Sequence, residues 1–145
     1  MTRGRSAGQR GFTLIEIMVV VVIIGLMAAV VTQQLMGNVD KARIEKAKQD
    51  MHALEAALDI YKLDNLNYPT GEQGLQALVT KPADPNLINY NDKGYIKRLS
   101  KDPWGNPYHY ENPGSHGEFD LFTLGADNQP GGEKSNADIG NWTLE

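Results

Sequence analysis

Two histidines and three carboxylates lie close together in the second half of the chain, and such side chains serve in catalysis and in zinc binding. They are His109 and His116 with Glu111, Glu118 and Asp120. Their spacings match no known zinc-ligand pattern, and aromatic residues alternate with them as they do along β-strands. We therefore predict that the protein is not an enzyme and that these residues belong to a sheet.

A glycine-rich segment, residues 125–140, carries side-chain oxygens that suit a hard cation. Its candidate ligands are Asp127, Asn136 and Asp138, and its glycines allow backbone carbonyls to turn inward, as Ca²⁺ with its 6–8 oxygen ligands requires. The EF-hand spacing is absent. Few of these residues are apolar, so burial alone cannot order the segment. From the residues alone, a solvated surface loop and a calcium site are both open.

A single acid, Glu16, interrupts an apolar run over residues 12–31. A helix of about 20 residues spans roughly 30 Å, the thickness of the hydrocarbon core of a bilayer. An ionisable group at that depth costs several kcal/mol unless it is paired, which indicates a functional residue with a partner. The arginines that precede the run predict a cytoplasmic amino end and an external body.

An ordinary cleavable signal peptide is the alternative interpretation of this run. Two features count against it. The polar sequence gives way abruptly to the apolar run at Gly11, and an acid within the run has no use in a signal peptide.

Length and composition limit the remaining choices. The chain has 145 residues and a formal net charge of −4, and it has no cysteine. These values predict one domain, and they exclude disulfides, thiolate metal sites and a cysteine nucleophile. The acidic balance indicates no nucleic-acid partner, because such proteins present a basic face.

The elements that position these residues follow from apolar periodicity and proline. No proline precedes Pro69, so the sequence predicts a helix from Phe12 to about Asn65, with a flexible joint at Gly37-Asn38. Its second half carries an apolar stripe that we expect to pack on a small sheet. The stripe consists of Ile44, Ala47, Met51, Leu54, Leu58 and Tyr61.

A short helix within residues 73–80 and strands over residues 108–111 and 118–124 are predicted next, with a last strand over residues 142–144. The predicted fold class is α+β. A long amino-terminal helix, half transmembrane and half amphipathic, packs on a small antiparallel sheet.

The junction between the basic leader and the apolar run resembles that of type IV prepilins and pseudopilins. It reads Arg10-Gly11-Phe12-Thr13-Leu14-Ile15-Glu16. The resemblance implies that a prepilin peptidase cleaves the bond between Gly11 and Phe12 and N-methylates Phe12. It divides the chain into a cleaved cytoplasmic leader (1–11), a hydrophobic transmembrane and fibre-core helix (12–38) and a periplasmic body (39–145).

Cleavage would create an α-amino group that is cationic near neutral pH. We hypothesise that this amine pairs with the Glu16 carboxylate of a neighbouring subunit. Each charge would then offset the cost of burying the other, and the pair would set the axial register of adjacent helices.

A second resemblance, running from Gly11 to Trp142, is to the major pseudopilins of the type II secretion system, the general secretion pathway protein G family, which have a pilin-like fold. Type IV pilins usually carry a disulfide-closed loop, which this cysteine-free chain cannot form. The matching segments are residues 68–70, 74–78, 102–108, 117–120 and 124–127.

This second resemblance implies a structural subunit of the pseudopilus. Such subunits polymerise into a periplasmic fibre that helps to push folded proteins across the outer membrane. The implied partners are further copies of the chain, minor pseudopilins, the prepilin peptidase, the inner-membrane assembly platform and membrane lipid. The implied location is the bacterial inner membrane, in a single pass.

The resemblance also implies one structural Ca²⁺ in the glycine-rich loop. Its ligands would be Asp127, Asn136, Asp138 and the carbonyl of Leu124. The alternatives are a type IV pilin or minor pseudopilin and, from another class, a secreted calcium-binding protein with an ordinary signal peptide.

Overall fold

The structure is a computed structural model that describes residues 11–144, without the side chains of residues 32–36. The predicted leader, apart from Gly11, lies outside the described residues. Contacts divide the chain into two compact units, Met1–Asn38 and Val39–Glu145. The predicted domain limits and the flexible joint at Gly37-Asn38 stay predictions.

One long helix, α1, spans Leu14–Asn65. It begins with a capping box, in which two residues satisfy each other's free N–H groups. The Glu16 N–H donates to Thr13 Oγ1 at 3.3 Å, and the Thr13 N–H donates to Glu16 Oε2 at 3.5 Å. The helix ends because Leu66 takes a left-handed φ of 69°, while its N–H still donates to the carbonyl of Lys62.

The predicted apolar stripe forms the buried face of α1 in the second unit. Met51 and Leu58 are fully buried, and Ile44, at the start of the stripe, is partly buried. The stripe packs against residues from the carboxyl-terminal half of the chain, which include Leu75, Leu78, Tyr108, Phe119, Leu121 and Ile139. The predicted amphipathic helix is therefore confirmed.

A small antiparallel sheet covers this core, in the order β1-β2-β3. Its strands are β1 (His109–Glu111), β2 (Asp120–Thr123) and β3 (Ile139–Gly140). His109 lies opposite Phe122 in the first pair, and Thr123 lies opposite Ile139 in the second. The predicted α+β class and antiparallel sheet are confirmed, with shorter strands than the sequence predicted.

The predicted last strand at residues 142–144 is wrong. Residues Asn141–Thr143 form a 3₁₀ turn, and the third strand precedes it at Ile139–Gly140. The Gly140 N–H donates to Thr143 Oγ1 at 3.2 Å, and the Thr143 hydroxyl donates to the Gly140 carbonyl at 2.8 Å. These two bonds fold the chain back onto the strand and prevent its continuation. The short helix predicted within residues 73–80 is a 3₁₀ helix, Leu75–Leu78.

Candidate functional site

The first unit presents an apolar helix surface. The large apolar side chains of residues 14–31 are all exposed in the isolated chain, by 47% to 80%. By length and composition, the stretch Leu14–Val31 could cross a membrane. Glu16 is the acid of the first turn, where the positive end of the helix dipole stabilises a carboxylate. The arrangement can bind apolar partners and offers one carboxylate for pairing.

The predicted metal-binding loop is closed by its own backbone. The Ala126 N–H donates to the Ser135 carbonyl at 2.8 Å, which joins the segment carrying Asp127 to the segment carrying Asn136. Gly125 has a φ of 66°, and a Cβ there would lie 2.8 Å from the Ser135 carbonyl oxygen. Because the two segments approach so closely, only glycine fits at this position.

Asp138 carries the strongest sign of a cation site in this loop. One carboxylate oxygen accepts from the Gly131 N–H at 2.8 Å, and the other is buried with no hydrogen-bond partner among residues 11–144. A buried carboxylate oxygen without a partner is costly, and a bound cation would satisfy it. This carboxylate oxygen is therefore of the kind that a hard divalent ion would bind.

The other two predicted side-chain ligands are exposed. Asp127 Oδ1 accepts from the Gln129 N–H at 3.2 Å, and Asn136 lies on the opposite segment of the loop. Across the described range, no three His, Asp or Glu side chains group together as a metal site would require. Calcium binding here would therefore depend on amide and carbonyl oxygens as well as on the two carboxylates.

A buried polar network that sequence reasoning missed holds the base of the loop. Asp102 is 4% exposed and accepts hydrogen bonds from the Asn106 N–H at 2.8 Å and from the Thr123 hydroxyl. Thr123 Oγ1 accepts from the Gly125 N–H, and the Asn106 side chain donates to the Gly125 carbonyl. The turn at residues 102–106 thus positions the first residue of the loop. An aspartate that begins a Pro- and Gly-containing turn was the available signal.

The two histidines of the predicted sheet region, His109 and His116, are held in separate ring pairs. His109 stacks on Phe122 with the ring centroids 5.1 Å apart, and His116 stacks on Trp142 at 3.8 Å. His116 Nδ1 also lies 2.9 Å from a carboxylate oxygen of buried Asp120.

The Asp120 carboxylate accepts hydrogen bonds from its own turn as well. Burial raises the pKa of Asp120, but hydrogen bonds from the His116 side chain and from the Ser115 and His116 N–H groups outweigh burial and lower the pKa overall. These contacts fasten the turn at residues 115–117 to β2 and to the carboxyl-terminal segment, which is a structural role.

Two models of known protein families match the sequence of this chain. The family model described as type II secretion system (T2SS), protein G, matches residues 34–142, which include the sheet and the glycine-rich loop. The chain belongs to the type II secretion system protein G family. A second model, the prokaryotic N-terminal methylation motif, matches residues 6–32 and so includes Gly11, Phe12 and Glu16.

Relatives across the T2SS protein G family are similar over almost their whole length. The type II secretion system core protein G of Vibrio cholerae serotype O1 is 61% identical, with 94% of each chain covered. That of Pseudomonas aeruginosa is 58% identical over 92% of this chain and 95% of its own.

A solved structure is also similar. The major pseudopilin from the type 2 secretion system of enterohaemorrhagic Escherichia coli is 53% identical, with a TM-score of 0.66 over 75% of this chain and 94% of that chain. These matches do not favour a type IV pilin, a minor pseudopilin or a secreted calcium-binding protein.

Proposed function

We propose that the protein is a structural subunit of the type II secretion pseudopilus and that α1 joins copies of it into a fibre. One observation carries the proposal: a member of this family presents an exposed apolar helix with a lone acid in its first turn. Copies that pack side by side would bury this surface. Inside the bilayer, where lipid tails already surround the helix, close packing between helices would favour association. Where the surface meets water, its burial gains roughly 25 cal/mol for each Å² of apolar area. The subunit itself performs no catalysis.

Maturation would make the helix competent for assembly. Cleavage between Gly11 and Phe12 by the prepilin peptidase removes the basic leader, and the same enzyme methylates the new amino group of Phe12. The match of the N-terminal methylation motif to residues 6–32 supports this step. The apolar helix then stays attached to the body and anchors it in the inner membrane, with the amino end cytoplasmic and the body periplasmic.

The Glu16 carboxylate would change partners on assembly. In the free chain it accepts from the Thr13 N–H at 3.5 Å, a long bond that it can give up at little cost. In the fibre it pairs with the amine of Phe12 in a neighbouring copy. Breaking a buried charge pair by removing one partner costs about 3–5 kcal/mol, which is enough to select one axial register.

Calcium would order the glycine-rich loop of the body. Asp127, Asn136, Asp138 and the Leu124 carbonyl would hold the ion, and the buried, unpartnered oxygen of Asp138 supports this assignment. The loop has too little apolar surface to become ordered by burial, so oxygen ligands held around the ion would order it instead.

The fibre would work in the periplasm with minor pseudopilins and the inner-membrane assembly platform, and it would help to push folded proteins across the outer membrane. The family assignment supports this role.

Mass spectrometry of the mature chain tests the proposal. We expect an amino terminus at N-methyl-Phe12 in protein purified from cells that contain the prepilin peptidase. A terminus near Val30 would instead indicate an ordinary signal peptidase and would refute the retained helix. Protein from peptidase-deficient cells is the control and should still carry residues 1–11.

A further inference from the structure

An apolar cluster stands exposed at the carboxyl-terminal end of α1, away from the buried stripe. Ile60 is 52% exposed, Leu63 is 79% exposed and Leu66 is 80% exposed. Ile60 and Leu63 lie three positions apart in the last turns of α1, so their side chains are neighbours on its surface, and Leu66 is the first residue after the helix. We call Ile60, Leu63 and Leu66 the knob.

Leu66 adopts a backbone conformation that leucine rarely takes. Its φ of 69° is left-handed, and it occupies the position after the helix where glycine or asparagine is the usual residue. A residue that is both strained and exposed contributes little to the stability of its own subunit. Strain of this kind indicates a functional contact for the side chain.

The same unit contains a groove of complementary character. It encloses about 510 Å³, within the range of roughly 300–1,000 Å³ that is typical of binding pockets. Its walls include Leu75, Leu99, Pro107, Tyr108 and Tyr110, whose surfaces are mainly apolar. We call this the groove.

Charge is complementary as well. Lys101 lines the groove and forms no salt bridge within the described part of the chain. The knob lies at the carboxyl-terminal end of a 52-residue helix, where the helix dipole presents partial negative charge and attracts a cation. Lys62, the basic residue of that last turn, is paired with Glu118 at 2.7 Å and so adds little net positive charge there.

We propose that the knob of one copy docks into the groove of the next copy in the fibre. The two surfaces are different patches of one chain, so the contact is heterologous: it leaves a free knob at one end and a free groove at the other. Such a contact produces an open filament whenever its rotation does not close a ring. The inference rests on the proposed fibre and names a contact between the bodies of its subunits.

Cysteine cross-linking in the full-length chain tests the contact directly, because the natural sequence has no cysteine. Leu66→Cys and Leu99→Cys are introduced into separate, distinguishable copies that are co-assembled. Copper-catalysed oxidation traps pairs whose Cα atoms approach within about 7 Å, and a short bismaleimide traps neighbouring thiols beyond that distance. We expect mixed dimers of the two variants.

As a control, the Leu66→Cys variant is co-assembled with Ile88→Cys, because Ile88 is 86% exposed and belongs to neither the knob nor the groove. This pair should give at most a small fraction of the mixed dimer. Equal cross-linking of the control pair, or no cross-linking of the Leu66–Leu99 pair by either reagent in intact fibres, would overturn the proposed contact.

Leu66→Asn provides an independent measurement. Asparagine tolerates a left-handed φ better than leucine, so the variant should keep or raise the melting temperature while it lowers the yield of fibres at least tenfold. Wild-type fibres are counted by electron microscopy in parallel. If the wild type forms no fibres, the proposed function fails; if wild type and Leu66→Asn form fibres equally well, only the docking contact is wrong.

Discussion

The substitution Asp138→Asn should change the stability of the protein in opposite directions with and without calcium. Asparagine can still accept from the Gly131 N–H through its amide oxygen, as the carboxylate does at 2.8 Å. It also replaces the buried oxygen that has no partner among the described residues, and thereby removes an uncompensated charge. The amide NH2 that takes the place of this oxygen also lacks a partner, but an unpaired charge costs more to bury than an unpaired neutral group. In excess EDTA the variant should therefore be the more stable protein, by about 1 kcal/mol.

The expected shift in melting temperature follows from the number of residues in the second unit. Residues Val39–Glu145 number 107, so at about 2.1 cal/mol/K per residue a change of 1 kcal/mol shifts the melting temperature by about 4 °C. Calcium at a hundredfold excess over its dissociation constant would raise the free energy of unfolding by about 2.7 kcal/mol, which raises the melting temperature by about 12 °C. Asp138→Asn should therefore melt about 4 °C above the wild type in EDTA and about 8 °C below it in calcium.

Thermal unfolding followed by circular dichroism in EDTA and in excess calcium measures both differences. Glu133→Gln is the matched control, because Glu133 is an exposed carboxylate in the same loop and is not a predicted ligand. It should leave both melting temperatures within about 2 °C of the wild type. A wild-type melting temperature that does not respond to calcium, or a variant that is destabilised equally in both conditions, would refute the assignment of Asp138.

Three further predictions concern assembly and folding. Glu16→Gln keeps a side chain that can complete the capping box but loses the negative charge. Sedimentation should therefore show far fewer fibres, while circular dichroism shows unchanged helix content. An equal yield of fibres would refute the pairing of Glu16 with the Phe12 amine. Gly140→Ala places a Cβ about 2.4 Å from the Trp142 ring, so the ring, which is 39% exposed, must move away from its stacking partner His116. Urea unfolding should show a loss of about 0.5–1.5 kcal/mol, with altered Trp fluorescence, and unchanged stability and fluorescence would contradict this. The pKa of the Asp120 carboxyl is lowered in the folded state. Its ionised form therefore stabilises the fold above the unfolded pKa of about 3.9, and this stabilisation is lost as the pH falls through the folded pKa. In Asp120→Asn the free energy of unfolding should fall less steeply with decreasing pH, and an unchanged pH dependence would contradict this.

Local patterns were sufficient to predict the first part of the chain. The extent of α1 follows from the absence of proline and from the spacing of the apolar residues, because hydrogen bonds within a helix join residues only four positions apart. The stripe from Ile44 to Tyr61 follows for the same reason, since one face of a helix must be covered by apolar surface from elsewhere in the domain.

The strands were harder to predict from sequence, because their partners are distant in the chain. The segment at Trp142 has an aromatic residue and a threonine, as strands often do, yet it forms a 3₁₀ turn. Its conformation depends on the two hydrogen bonds between Thr143 and Gly140 and on the space above Gly140 that the Trp142 ring fills. Propensity alone does not contain that information.

The sequence by itself determined the apolar helix with its lone acid, the amphipathic stripe and the oxygen-bearing side chains of the glycine-rich loop, because each depends on residue type and short-range spacing. Only the tertiary structure decided which carboxylate oxygen of Asp138 lacks a partner among residues 11–144, how Asp102 supports the base of the loop and where the groove lies. Those features arise where segments that are distant in the chain meet, and packing between such segments is set by the whole core at once.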